Sequence, residues 1–300
     1  MLVIGGSAEY TGAPYYAGMA ALRAGADLVW VACGEGAAVP LKCLSPELMV
    51  LPVIPRDPSG VAGALTALEP ILRRVHALVV GPGLGRSEGA LAFASEVLKY
   101  AKCRSPPLPC VVDADALFLL SVRPEVLDGH PCALLTPNVM ELERLNGKAL
   151  GGGIIILRKD IVDCVLHVDR GGAPLEQGEL PVLGTIEGGG SPRRCGGQGD
   201  VLAGAAGTFL AWAAEAVEAA AAHASQGGES EGGGAPAPAA EALSGGTVAA
   251  CAVGASCVVR LASAFAFDQH KRGMLTPDVL KCLPQAFEQA MELVDSQEAH

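Results

Sequence analysis

The sequence predicts an α/β fold in three layers, α/β/α, with helices on both faces of a mostly parallel central sheet. Three observations carry that expectation. Short apolar runs such as Leu2-Val3-Ile4, Leu78-Val79-Val80 and Cys132-Ala133-Leu134-Leu135 lack polar alternation, as strands buried on both faces do. Most such runs lead through glycine- or proline-rich turns into helical stretches, the order that builds βαβ units. Half of the 300 residues are hydrophobic but only 4% are aromatic, so the core must be small aliphatic side chains in closely packed elements.

In chain order, strand Leu2–Ile4 passes through the turn GGSAEYTGAP into a helix from Tyr15 to Ala24, ended by Gly25. The next strand is Asp27–Val31. The proline-rich segment 45–58 reads as an extended connection, and a helix follows near Ala62–Arg74. Strand 76–80 runs into Gly81-Pro82-Gly83-Leu84-Gly85-Arg86, at the carboxyl end where ligands sit in open α/β sheets. Helix 88–102 and strand 109–112 lead to Asp113-Ala114-Asp115, where one carboxylate could cap a helix or the pair could serve Mg²⁺. After strand 132–135, Asn138 and Glu141 have capping-box spacing at the head of a short helix. Strands at 153–157 and 162–168 flank Lys159, and 170–190 reads as a long loop or hairpin. Buried helices are expected from Val201, over 246–264 and from Thr276, with Pro277 at the first position of the last. The tract Ser225–Pro238 is low in complexity and is expected to be a disordered insertion in a single domain spanning residues 1–300.

A net charge of −11 argues against nucleic acid or an anionic membrane surface as partner. Ten scattered cysteines without CxxC spacing read as reduced thiols, and the six histidines have no zinc-ligand spacing. No transmembrane run is evident, and no basic leader precedes Leu2, which makes the cytoplasm the default compartment; an organellar form would follow if a leader is missing.

The stretch SPRRCGGQGDVLAG, Ser191–Gly204, concentrates the chemistry. Glycines before a helix let backbone N–H groups approach an anion, and Arg193 and Arg194 can add charge. Asp200 is then either a helix cap or a base for a hydroxyl that attacks phosphate. At a helix N-terminus it is expected to stay ionised.

Together, GGSAEYTGAPYYAGMAALRAGAD, VVGPGLGR, VVDADALFLL, LTPNVMELERL and PRRCGGQGDVLAG resemble the ATP-dependent NAD(P)H-hydrate dehydratases of the ribokinase-like superfamily. The resemblance covers most of residues 1–215. It implies a repair enzyme that returns hydrated NADH or NADPH (NADHX/NADPHX, S epimer) to the reduced cofactor through a phosphorylated intermediate. ATP would be co-substrate with Mg²⁺, and an epimerase the functional partner. By that resemblance Asp200 is the catalytic base. Gly83, Gly85, Asn138, Val139, Met140, Glu141, Leu142, Glu143 and Arg144 meet the hydrate with it. Lys159, Asp160, Gly190, Ser191, Pro192, Arg193, Arg194, Cys195, Gly196, Gly197, Gln198 and Gly199 form the ATP segment, and Glu141 is the candidate for Mg²⁺. The sequence departs from the family in three places. The leading helix and glycine turn are missing; Lys159 is followed by Asp160 where the family has glycine; and only seven residues separate Leu145 from Gly153, which barely supplies a parallel crossover and should expose apolar surface that favours self-association. A small-alcohol kinase on the same fold, or a weakened nucleotide-binding homologue, are the alternatives.

Overall fold

The computed structural model describes residues 1–150, 152–168, 180–226 and 243–298. Its strands are β1 Leu2–Ile4, β2 Val29–Gly34, β3 Leu48–Ile54, β4 Leu78–Val80, β5 Cys110–Val112, β6 Ala133–Leu135, β7 Ile154–Arg158, β8 Asp163–Val168 and β9 Val182–Ile186. They form one sheet in the order β3-β2-β1-β4-β5-β6-β7-β8-β9. The first seven strands run parallel, and β8 and β9 are added antiparallel. Chain order reverses direction between β1 and β4, and their carboxyl ends open the crevice that a doubly wound sheet offers to ligands.

The helices are α1 Gly12–Ala24, α2 Glu35–Leu44, α3 Val61–Leu72, α4 Glu88–Cys103, α5 Ala114–Val122, α6 Val139–Leu145, α7 Gln198–Gln226, α8 Gly245–His270 and α9 Thr276–Glu298. Alternate residues of each central strand point to opposite faces, so Val3, Val79 and Val111 join one core while Leu2, Ile4, Leu78 and Val80 join the other. The first core packs against α1, α2, α7, α8 and α9; the second lies under α3, α4, α5 and α6. On the first face the helices come unusually close. A Cβ on Gly204 would lie 2.0 Å from the carbonyl oxygen of Ala17, and one on Gly207 would lie 2.7 Å from Val79. Thr208 adds a hydrogen bond from its hydroxyl to the Ala21 carbonyl, 3.2 Å. The glycine and alanine content therefore sets the height and position of α7 over the sheet.

The structure adds to or revises several sequence expectations. Segment 45–58 holds the edge strand β3, which tolerates Pro52 because an edge strand needs ladder bonds on one side only. Helix α2, concealed by Gly36 and Pro40, follows β2 directly. The short crossover suffices: α6 alone links β6 to β7, burying Leu142, Leu145 and Leu150, and Leu134 pairs with Ile155. Helices α7 and α8 are long and apolar enough to cross a membrane, although 61% and 56% of those windows are buried in the fold. The 170–190 segment, expected to be a long loop or hairpin, contributes β9, which pairs antiparallel with β8; residues 169–179 lie outside the described residues, as do residues 227–238 of the low-complexity tract.

Candidate active site

Two interlocked loops close the switch point. The N–H of Gly6 donates to the Pro82 carbonyl at 3.0 Å, and a side chain on Gly5 would strike that same oxygen. Gly81, at φ +123°, lies against the carbonyl of Asp113, 1.8 Å from where its Cβ would be. The loop is tied down further along by Asp115, whose two carboxylate oxygens accept the Gly85 N–H at 2.9 Å and the Arg86 Nε–H at 3.0 Å. Arg86 also lies over the Phe118 ring, 4.2 Å from its centroid.

Behind these loops lies a buried charge cluster. Asp113 occupies the N-cap position of α5 but makes no capping bond; it accepts a 2.7 Å hydrogen bond from the Lys159 ammonium instead. Lys159 is held from its own side by a backbone bond to the Pro137 carbonyl, which prolongs the β6–β7 pairing. Gly199 leaves room for that ammonium, since a Cβ there would lie 3.1 Å from Nζ. Burial alone would lower the Lys159 pKa, but Asp113, Glu141 and Asp200 outweigh it and hold the group protonated.

Asp200 is the third residue of α7 and so is not its cap. The expectation that it stays firmly ionised does not hold. Burial raises its pKa from 3.8 to about 7, Asp113 and Glu141 add to the rise, and Lys159 offsets only part of it. The helix N-terminus cannot compensate for desolvation beside two other carboxylates. A carboxylate tuned near neutrality is suited to taking a proton and giving it up again.

Two large clefts meet here. One, about 1190 Å³, is lined by Asn138, Lys159, Asp160, Gly190, Ser191, Pro192, Arg194, Cys195, Gln198 and Gly199. The other, about 1360 Å³, is lined by Gly83, Gly85 and Asp200, with the 7–10 loop and Arg56 and Arg86. Glu141 and Arg144 line a smaller cavity of about 100 Å³ that shares Arg86, Ala114 and Asp115 with the second cleft. Three predicted ATP-segment residues lie off the cleft wall. Arg193 turns away to donate to the Met274 carbonyl at 2.8 Å, Gly196 receives the Thr276 hydroxyl, and Gly197 turns at φ +99° against the Tyr16 ring. Among the residues expected to meet the hydrate, Leu142 is a core side chain, 1% exposed, while Val139, Met140 and Glu143 face outward, away from both large clefts. Asp160, which stands where the family has glycine, does not take a positive φ and pairs with Arg194 at 3.6 Å across the mouth of the first cleft.

Sequence reasoning missed Arg260. Its guanidinium donates to the carbonyls of Gly188, 2.9 Å, and Ile161, 2.7 Å, and lies 3.4 Å from Asp163. The Arg260 carbonyl accepts the Gly190 N–H, and Gly188, Gly189 and Gly190 all take positive φ. Ser256, one turn earlier, donates to Asp163 at 2.7 Å. Polar residues four apart in an otherwise apolar helix were the available signal.

Glycine loops at the carboxyl ends of parallel strands, two clefts, and a neutral-tuned carboxylate beside them define the active site of a doubly wound α/β enzyme. The chain belongs to the NAD(P)H-hydrate dehydratase family: a family model of that description matches residues 1–233. It is 37% identical to the ATP-dependent (S)-NAD(P)H-hydrate dehydratase of Drosophila melanogaster, over 98% of this chain and 87% of the relative. It is 36% identical to that of Entamoeba histolytica, over 96% and 86%. Among solved structures, a ribokinase-like superfamily protein of Enterococcus faecalis shares the fold with a TM-score of 0.60 at 20% identity, over 96% of this chain and 86% of that one. The Bacillus subtilis ADP/ATP-dependent NAD(P)H-hydrate dehydratase co-crystallised with ATP/Mg²⁺ does so with a TM-score of 0.56 at 16% identity, over 96% and 88%.

Proposed function

We propose that this protein repairs nicotinamide nucleotides, using ATP to dehydrate the S epimer of hydrated NADH or NADPH back to the reduced cofactor. The observation that carries the reading is Asp200, placed where a glycine-walled cleft and the switch-point cleft meet. ATP fits the first cleft. The N–H groups of Gly199 and Asp200 belong to the first turn of α7 and have no acceptor within the helix, so they would bind a phosphate group together with the Lys159 ammonium. The hydrate occupies the second.

Ionised Asp200 takes the proton of the ring hydroxyl as that oxygen attacks the γ-phosphorus, and the bond to the β-phosphate oxygen breaks to release ADP. The new ester leaves as phosphate: its carbon–oxygen bond breaks with the electron pair going to the departing phosphate, which takes the proton of the neighbouring ring carbon, and the electrons of that carbon–hydrogen bond become the double bond. Phosphate is the better leaving group, which is what ATP contributes to a dehydration. Mg²⁺ needs only one or two protein carboxylates beside phosphate oxygens, and no cluster of three candidate ligands exists among the described residues. Glu141, with one oxygen on the Asn138 N–H and the other free, would hold the ion, which would neutralise phosphate charge.

An epimerase that interconverts the two hydrate epimers would supply the substrate. The reading includes no nucleic-acid or membrane partner and sets the enzyme in the cytoplasm. Exposed Val139 and Met140 on α6 offer a surface for self-association, to be checked by light scattering. The decisive experiment incubates the protein with hydrated cofactor and ATP and follows the reduced-nicotinamide absorbance. Its return with stoichiometric phosphate supports the reading; ADP formation with a stable phosphorylated product and no absorbance would make the protein a kinase.

A further inference from the structure

Asp113 and Asp115 are separated by Ala114 alone, yet their carboxylates serve different clefts. Asp113 reaches Lys159, 46 residues away, beside the head of α7, and is 2% exposed. Asp115 reaches Gly85 and Arg86 on the wall of the other cleft. The backbone between the two aspartates turns sharply at the head of α5. Ala114 supplies the turn at φ +48°, a left-handed conformation that alanine rarely adopts. The turn has little freedom to relax, because the Asp113 carbonyl is wedged against Gly81 and the Ala116 N–H is bonded to that same carbonyl at 3.0 Å.

We infer that the 113–115 turn is one positioning element shared by both clefts: Asp113 fixes Lys159 on the nucleotide side, Asp115 fixes the Gly83–Arg86 strap on the hydrate side, and the strained Ala114 holds the two in register. None of the three transfers a proton; they act through Lys159, Gly85 and Arg86. The assignment of nucleotide and hydrate to their clefts rests on the function proposed above, whereas the mechanical claim does not. Strain held at Ala114 then couples the geometry of one substrate site to that of the other, as expected where two reactants must be aligned to within a fraction of an ångström.

The test uses the full chain and each ligand alone, so that no turnover occurs. Calorimetric titration with ATP and Mg²⁺, and separately with hydrated NADH, is run on the wild type and on D113N, D115N and A114V, alongside deuterium uptake of the free proteins. Asparagine at 115 cannot satisfy both a backbone donor and a guanidinium. D115N should therefore weaken the hydrate by about tenfold and leave ATP within about twofold, with faster uptake confined to 81–88. D113N should do the reverse, with faster uptake at 198–203. A114V, whose β-branched side chain disfavours positive φ, should weaken both ligands and loosen both segments, and A114G, which keeps the turn, should bind both more tightly than A114V does.

Loss of both ligands in D115N, or an unchanged A114V, would overturn the inference. Asp115 is partly exposed, so D115N decides the matter should D113N fail to fold. A wild type that binds ATP but not the hydrate would end the functional reading alone; the uptake patterns would still decide whether one turn positions both segments.

Discussion

The two faces of the sheet are packed by different rules. Under α3, α4 and α5 the core is leucine and valine around the fully buried Phe93, filled by side-chain volume. Under α1, α7 and α8 it is mostly alanine, glycine and valine, and helix backbones approach until a single Cβ would collide. Side-chain volume can be redistributed among neighbours, but backbone contact cannot. The leucine face therefore supplies stability, and the alanine face fixes where the head of α7, and with it Asp200, stands relative to the strand ends.

Four experiments can break or sharpen that contrast. The largest effect should come from the residue that the alanine face positions. Asp200→Asn keeps size and helix but removes the base, so turnover should fall by about 10²- to 10⁴-fold while ATP affinity is retained or improves. Near-wild-type turnover in a coupled absorbance assay would end the catalytic claim. Next, Leu98→Ala, a fully buried leucine on the other face, should cost about 2–5 kcal/mol in denaturant unfolding yet leave both KM values unchanged. A changed KM would mean that the faces are not separable. Gly204→Val should cost a comparable amount, about 3 kcal/mol or more, and should also depress turnover, because its Cβ meets a backbone carbonyl and α7 must lift off Ala17. A destabilised protein with full turnover per folded molecule would contradict the positional role.

The smallest effect is on the pH dependence of stability. Asp200 has a folded pKa of about 7, above its unsperturbed value of 3.8, so the folded state binds an extra proton between those values. Its contribution favours folding at low pH and is lost as pH rises from about 4 to about 7. The D200N variant titrates in neither state. Its melting temperature should match the wild type near pH 4 and exceed it by a few degrees, roughly, at pH 8. A constant difference across that range would show that Asp200 is not tuned as described. The same titration makes turnover rise with pH through about 7.

Much of this architecture was legible in the residues, because local patterns encode it. Doubly buried strands carry no polar alternation, Gly25 terminates α1 in the left-handed conformation, and Asn138 and Glu141 form the reciprocal capping box their spacing announces. What stayed hidden depended on distant partners or on signals that local punctuation obscured. Strand β3 was masked by prolines that only an edge position accommodates, and α2 by a glycine and a proline. The Asp113–Lys159 pair joins residues 46 apart, and Arg260 looked like one charge in an apolar helix until the fold set it under the 188–190 loop. The ionisation of Asp200 was misjudged because a helix terminus is visible in sequence whereas burial beside two carboxylates is not.

The Arg193 guanidinium, spent on the carbonyl of Met274, and the Thr276 hydroxyl, spent on that of Gly196, moor the loop before α7 to the start of α9. The last helix thus acts as a doorpost for a wall of the first cleft, although none of its described side chains lines that cleft. Clipping or retagging the carboxyl end would then register as a loss of grip on the ligand before it registers as unfolding, and natural variation in this outlying helix would tune affinity without touching the cleft itself.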